Sequence, residues 1–153
     1  IDLASLLWDM KEYYGRGERR GEIFLEIEED LPRLHTDIRL LREALIQLVD
    51  NAHKFSPAGS PIILGAERWG DEVLLRVEDQ GPGIPVEVVE EVMRLELEEE
   101  GMEGPAKIDI SGLYLCRKYV AAMGGDFSVK GRSGEGTTAF IRLRVLPFLG
   151  EGL

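Results

Sequence analysis

The chain has 153 residues, with 18 lysines and arginines against 29 aspartates and glutamates, a formal charge of -11, and 44% hydrophobic against 31% charged residues. That length suits one compact domain with a continuous core, and no apolar run approaches the roughly 20 residues that cross a bilayer. The acidity argues against nucleic acid and against an anionic membrane as partners, but a polyphosphate remains compatible where backbone amides, a lysine or two and a divalent cation override the background field.

Ile1 opens directly into an amphipathic pattern with no initiator Met or basic-then-apolar leader, so residues 1–153 read as a single domain from a longer protein, with room for a membrane segment upstream. Leu3, Leu6, Leu7, Met10 and Tyr14 carry helical spacing, which predicts a first helix over 2–14 broken at Gly15 to Gly17. Ile23, Leu25 and Ile27 alternate with glutamates, predicting a strand with one wet face, closed by Pro32. Asp37 stands where a helix cap would, ahead of Leu40, Leu41, Ala44, Leu45, Leu48, Val49 and Ala52 at helical intervals up to Phe55. Residues 62–69 and 72–78 predict two strands joined at Gly70-Asp71. Asp79-Gln80-Gly81-Pro82-Gly83 is too rich in breakers to be other than a loop, and residues 85–100 are helix-prone and acidic. Gly101 to Lys107 are loose, Gly112 to Met123 predict another amphipathic helix, and strands follow at about 126–130 and 137–146. Cys116, in that last helical pattern, is alone in the chain and so forms no internal disulfide; a core thiol in a reducing, cytoplasmic setting is expected. Without a strict βαβ rhythm, a mixed sheet of about five strands, covered on one face by about three helices, fits best.

Three segments carry chemistry. On the 41–56 helix Gln47, Asn51 and Lys54 fall at i, i+4 and i+7, a polar stripe along an otherwise apolar helix. Such amides are ordinarily solvated. Mg²⁺, however, takes few protein oxygens and fills its shell with water and phosphates, so a single Asn carbonyl qualifies as a ligand, with Lys54 as a point charge toward phosphate. The strand into Asp79-Gln80-Gly81-Pro82-Gly83-Ile84 offers a carboxylate able to accept from the exocyclic amine of adenine, and glycines that let backbone pass close to a ring; alone, it is equally a turn with a capping Asp. Gly134-Glu135-Gly136-Thr137-Thr138, alone, is a hairpin turn.

In this order the segments resemble the ATP-binding catalytic domain of sensor histidine kinases, of the superfamily shared with gyrase. Leu45 to Ser56 resembles the family's N box, Asp79-x-Gly81-x-Gly83 its G1 box, Gly134-x-Gly136-Thr137 its last glycine box, and Ser111-Gly112-Leu113 to Gly124-Gly125 the helix after its G2 box. The resemblance implies an α+β two-layer sandwich of the Bergerat type. It implies ATP and Mg²⁺ as cofactors, with Asn51 as magnesium ligand, Asn51, Gln47 and Lys54 as the catalytic group, and Lys54 as a phosphate contact. It places Asp79 on adenine, Thr137 in the water network beside it, and Gly81, Gly83, Ile84, Gly112 and Leu113 in the nucleotide site.

Two departures matter. Ile108-Asp109-Ile110-Ser111-Gly112-Leu113 stands at the G2 box, retaining only its last glycine and leucine, and no F box is recognisable in 93–103. Where ATP-hydrolysing cousins carry a glutamate four residues before the asparagine, this chain has Gln47, which is no general base. Glu43, a further turn away, is too far along the helix to substitute. Phosphotransfer to a histidine on a separate dimerisation domain is therefore expected over hydrolysis, with that domain and a response regulator as partners. His35 and His53 lie outside any acceptor pattern. Two alternatives stay open: a degenerate module, weakly or not binding nucleotide, that docks a partner kinase or response regulator; and a serine-phosphorylating anti-sigma-factor kinase, which the first helix and strand resemble less.

Overall fold

The computed structural model describes residues 2–14, 23–94, 111–132 and 135–145. Along the chain run α1 (Leu3–Tyr14), β1 (Ile23–Ile27), α2 (Ile38–Phe55), β2 (Ile62–Trp69), β3 (Glu72–Asp79), α3 (Val86–Arg94), α4 (Ser111–Ala122), β4 (Asp126–Arg132) and β5 (Gly136–Arg144). The helix expected over 85–100 is described as far as Arg94; residues 95–110, which include most of the G2-box and F-box positions, lie outside the described residues, as does Gly134.

The strands form one five-stranded sheet in the order β1-β2-β3-β5-β4. Only β1 and β2 are parallel, because α2 carries the chain back across the sheet between them, while the other neighbours run antiparallel. Alternation along each strand puts two apolar rows on one face. Leu25, Leu64, Val77, Ala139 and Val129 make one row; Ile27, Ala66, Leu75, Ile141 and Phe127 make the next. Against these rows lie the buried stripes of the helices, among them Leu7 and Met10 of α1, Leu41, Leu45 and Val49 of α2, Val88 and Val92 of α3, and Cys116 and Val120 of α4, in one continuous core. Burial pushes the Cys116 thiol up, away from reactivity. The result is an α+β two-layer sandwich. Its described residues hold four helices where about three were expected, because the acidic stretch after the glycine loop also buries an apolar stripe, Val88 and Val92, against α4 and β4.

Helix α2 starts and stops where its sequence directs. The Asp37 side chain accepts from the Arg39 N–H at 2.9 Å, and the Ser56 N–H donates to the Ala52 carbonyl at 3.0 Å. No helix among the described residues is long and apolar enough to cross a membrane.

The opposite face of the sheet carries a charge network. Arg76, with a side chain 17% exposed, donates to Glu78 at 2.6 Å and Glu67 at 3.3 Å and pairs with Glu26, tying β1, β2 and β3 together. Burial alone would depress the guanidinium's pKa, but the Glu78 hydrogen bond and the charges of Glu78, Glu26 and Glu67 outweigh it and hold it raised. Gly65 stands beside Arg76 on the neighbouring strand, and a β-carbon there would collide with the guanidinium. Replacing Arg76 with Met leaves three clustered carboxylates without their counter-charge. Thermal melts are expected to show a loss of about 1–3 kcal/mol, narrowed by added salt as the residual repulsion is screened.

Candidate functional site

The end of β3, the start of β5, the middle of α2 and the start of α4 surround an apolar cavity of about 180 Å³. Its lining comprises Leu48, Asn51, Ala52 and Phe55 from α2, Val77 and Asp79 from β3, and Pro82, Gly83, Ile84 and Pro85 from the loop that follows. Val88 of α3, Leu113 of α4, and Thr137 and Ala139 of β5 complete it. A cavity of about 150 Å³ accommodates a benzene ring, so this one is of a size for a planar heterocycle.

Asp79 is the last residue of β3 and pairs with Thr137 at the start of β5. Its Oδ1 accepts two backbone hydrogen bonds, from the Gly81 N–H at 2.8 Å and the Thr137 N–H at 3.2 Å. Burial raises the Asp79 pKa and these two amides pull it back, with the net direction upward. Two glycines make the arrangement sterically possible. A β-carbon on Gly81 would come 2.7 Å from the Phe55 carbonyl oxygen and 3.1 Å from Asp79 Oδ1. Gly136 has φ +93°, and a β-carbon there would run into the Asp79 carbonyl.

Facing Asp79 across the cavity, α2 presents Asn51. The β-carbon position of Gly112 lies 3.1 Å from Asn51 Oδ1 and 3.3 Å from Gln47 Oε1, so two amide oxygens one helical turn apart converge on the start of α4. Gly112 leaves them that room.

The structure thus gathers Asn51, Asp79, Gly83, Ile84, Leu113 and Thr137 on one cavity wall or another, with Gly81 behind the carboxylate and Gln47 and Gly112 beside Asn51. Lys54 stands apart: it is exposed, does not line the cavity, and its ammonium lies 5.2 Å from the centre of the Phe55 ring. Neither histidine lines the cavity; His35 is exposed and His53 lies half-buried beside Tyr14. Sequence reasoning passed over Leu48, Ala52, Phe55, Val77, Pro82, Pro85, Val88 and Ala139 as site residues. Val77 and Ala139 are directly opposed in the sheet, so knowledge of the β3–β5 pairing finds them, whereas Val88 carries no signal beyond amphipathicity.

The site sits in an α+β two-layer sandwich outside the doubly wound parallel class. The chain belongs to the histidine kinase-, DNA gyrase B- and HSP90-like ATPase family, which matches residues 36–147. It is 33% identical over 146 residues to the alginate biosynthesis sensor protein KinB of Pseudomonas aeruginosa, covering 94% of this chain and 24% of that protein. It is 32% identical over 152 residues to the adaptive-response sensory kinase SasA of Synechocystis, covering 95% and 38%. Among solved structures, full-length ShkA in complex with AMPPNP aligns with a TM-score of 0.75 at 25% identity, over 94% of this chain and 30% of that one. The catalytic domain of histidine kinase ThkA aligns with a TM-score of 0.77 at 22% identity, over 97% of each chain, a likeness of fold. The chain therefore spans well under half the length of the two curated relatives.

Two expectations follow from the clamp on Asp79. Because its folded pKa is raised, the folded state holds this proton more tightly than the unfolded chain does. Its contribution is thus most favourable below the unfolded value and declines as pH rises through the folded one. Asn at this position keeps an oxygen for both amides and does not titrate. Ligand-free Asp79→Asn is expected to melt at or slightly above the wild-type temperature at about pH 7, with the difference closing toward about pH 4. Gly136→Ala, by contrast, is expected to cost about 1–3 kcal/mol in urea unfolding, since strain and collision act together.

Proposed function

We propose that this domain binds MgATP in the cleft between α2 and the Asp79 loop and donates the γ-phosphate to a histidine on a separate dimerisation domain of a sensor kinase. The observation that carries the reading is the state of Asp79. Both backbone bonds end on Oδ1, which leaves Oδ2 as an acceptor for the exocyclic amine of adenine while apolar side chains from Val77, Ile84 and Leu113 sandwich the ring. A base with a carbonyl at that position offers no proton there and meets a desolvated acceptor instead.

The Mg²⁺ this reading implies fits the donor set. Among the described residues no group of three or more His, Cys, Asp or Glu could hold a metal ion by itself. An ion that draws most of its shell from phosphates and water is the kind such a site accepts, with the Asn51 oxygen as its protein ligand. When bound, the ion neutralises charge on the transferring phosphoryl group. Gln47 beside Asn51 offers an amide where a base would be needed to activate water, so the chain's own residues position and do not hydrolyse. Lys54, next along the stripe, lies over the Phe55 ring and would reach a phosphate only by swinging off it. The AMPPNP bound by ShkA and the sensor-kinase names of the relatives support the same reading.

The acceptor histidine and a response regulator are partners outside this chain. Calorimetry with MgADP tests the proposal: the wild-type domain is expected to bind, and Asp79→Asn to weaken binding by roughly ten- to a hundredfold through loss of a charge-assisted hydrogen bond. Asn51→Ala is expected to remove the Mg²⁺ dependence of affinity. With labelled ATP the domain alone is expected to stay unlabelled, and a histidine-bearing dimerisation domain of the same protein supplied in trans to acquire the label. No heat at near-millimolar nucleotide would leave the partner-docking module as the surviving reading.

A further inference from the structure

The nine described residues of helix α3 bury Val88 and Val92 against the core. Its start is tied by the Pro85 carbonyl, which accepts from the N–H groups of Val88 at 3.0 Å and Val89 at 3.2 Å. Val92 stands in the last described turn of the helix. Arg117 of α4 ties it down: Nη1 donates to the Val92 carbonyl oxygen at 2.9 Å in a partly buried contact.

The spacing gives this bond a consequence for the cleft. Val88 and Val92 are four apart on α3, and Leu113 and Arg117 are four apart on α4, so each pair stacks along one helix face. One member of each pair, Val88 and Leu113, lines the cavity, while the other two are joined by the hydrogen bond one turn away. Arg117 itself does not line the cavity.

We propose that Arg117 is a positioning residue for the nucleotide pocket: by clipping α3 at Val92 to α4 it sets how closely Val88 and Leu113 close on the base. The proposal rests on the nucleotide reading above and adds a residue that belongs to none of the recognised boxes. Its chemistry differs from that of an arginine that contacts phosphate directly, because a clip acts on the base whether or not phosphates are attached.

The test compares Arg117→Met and Arg117→Lys with wild type, by magnetic-resonance titration with adenosine and with MgADP, and by amide hydrogen exchange over Val88–Arg94. Arg117→Met is expected to weaken adenosine and MgADP by the same factor, roughly three- to tenfold, and to speed exchange in α3. Arg117→Lys keeps a donor for the Val92 carbonyl and is expected to recover much of both, which also covers the case in which the Met variant fails to fold. Loss of MgADP affinity with adenosine unchanged would overturn the proposal and assign the guanidinium to phosphate. Unchanged affinity and unchanged α3 exchange in the Met variant would overturn it alone. A wild-type domain that binds neither ligand overturns the nucleotide reading and this proposal together.

Discussion

A carboxylate held by two main-chain amides at the seam between β3 and β5 is the constraint on which the rest of the site depends. The donors are the backbone N–H groups of Gly81 and Thr137, so the position of Asp79 is set by strand register and loop path, with no further side chain needed to aim it. Register in turn is set by the alternating apolar rows that fill the core, since a one-residue slip of β5 would turn Ala139, Ile141 and Leu143 out to water. Packing of the inner sheet face thus reaches the chemistry through a single pair of opposed residues.

Desolvating that carboxylate costs stability, and the upward shift of its pKa records the cost. Under the proposed reading the same desolvation would make the acceptor discriminating, because a buried oxygen left without a donor is penalised far more than one in water. Under that reading stability and recognition pull in opposite directions at Asp79. The surrounding apolar wall, from Val77 and Ala139 on the sheet to Leu113 and Val88 on the helices, supplies burial that offsets the conflict.

Charge is organised differently on the two sides of the sheet. The open face gathers its carboxylates around Arg76, a network that ties three strands together. The described cleft lining presents the Asn51 amide, Gly83, apolar side chains and one carboxylate, Asp79.

By itself the sequence determined the elements and the order of the boxes. Asp37 and Ser56 bracket α2, Gly70, with φ +64°, marks the β2–β3 turn, and period-two alternation assigns the inner faces of β2, β3 and β5, because these are local rules of capping, backbone freedom and pleat. Tertiary structure alone decided what those elements bring together. It placed both amides on one oxygen of Asp79, put Gln47 beside Gly112, left Lys54 outside the cavity on Phe55, and brought Val88 of α3 to the wall of the cleft. Periodicity reports which face of an element is buried and says nothing of which distant element covers it; that pairing is settled only when register, crossover and packing are satisfied at once.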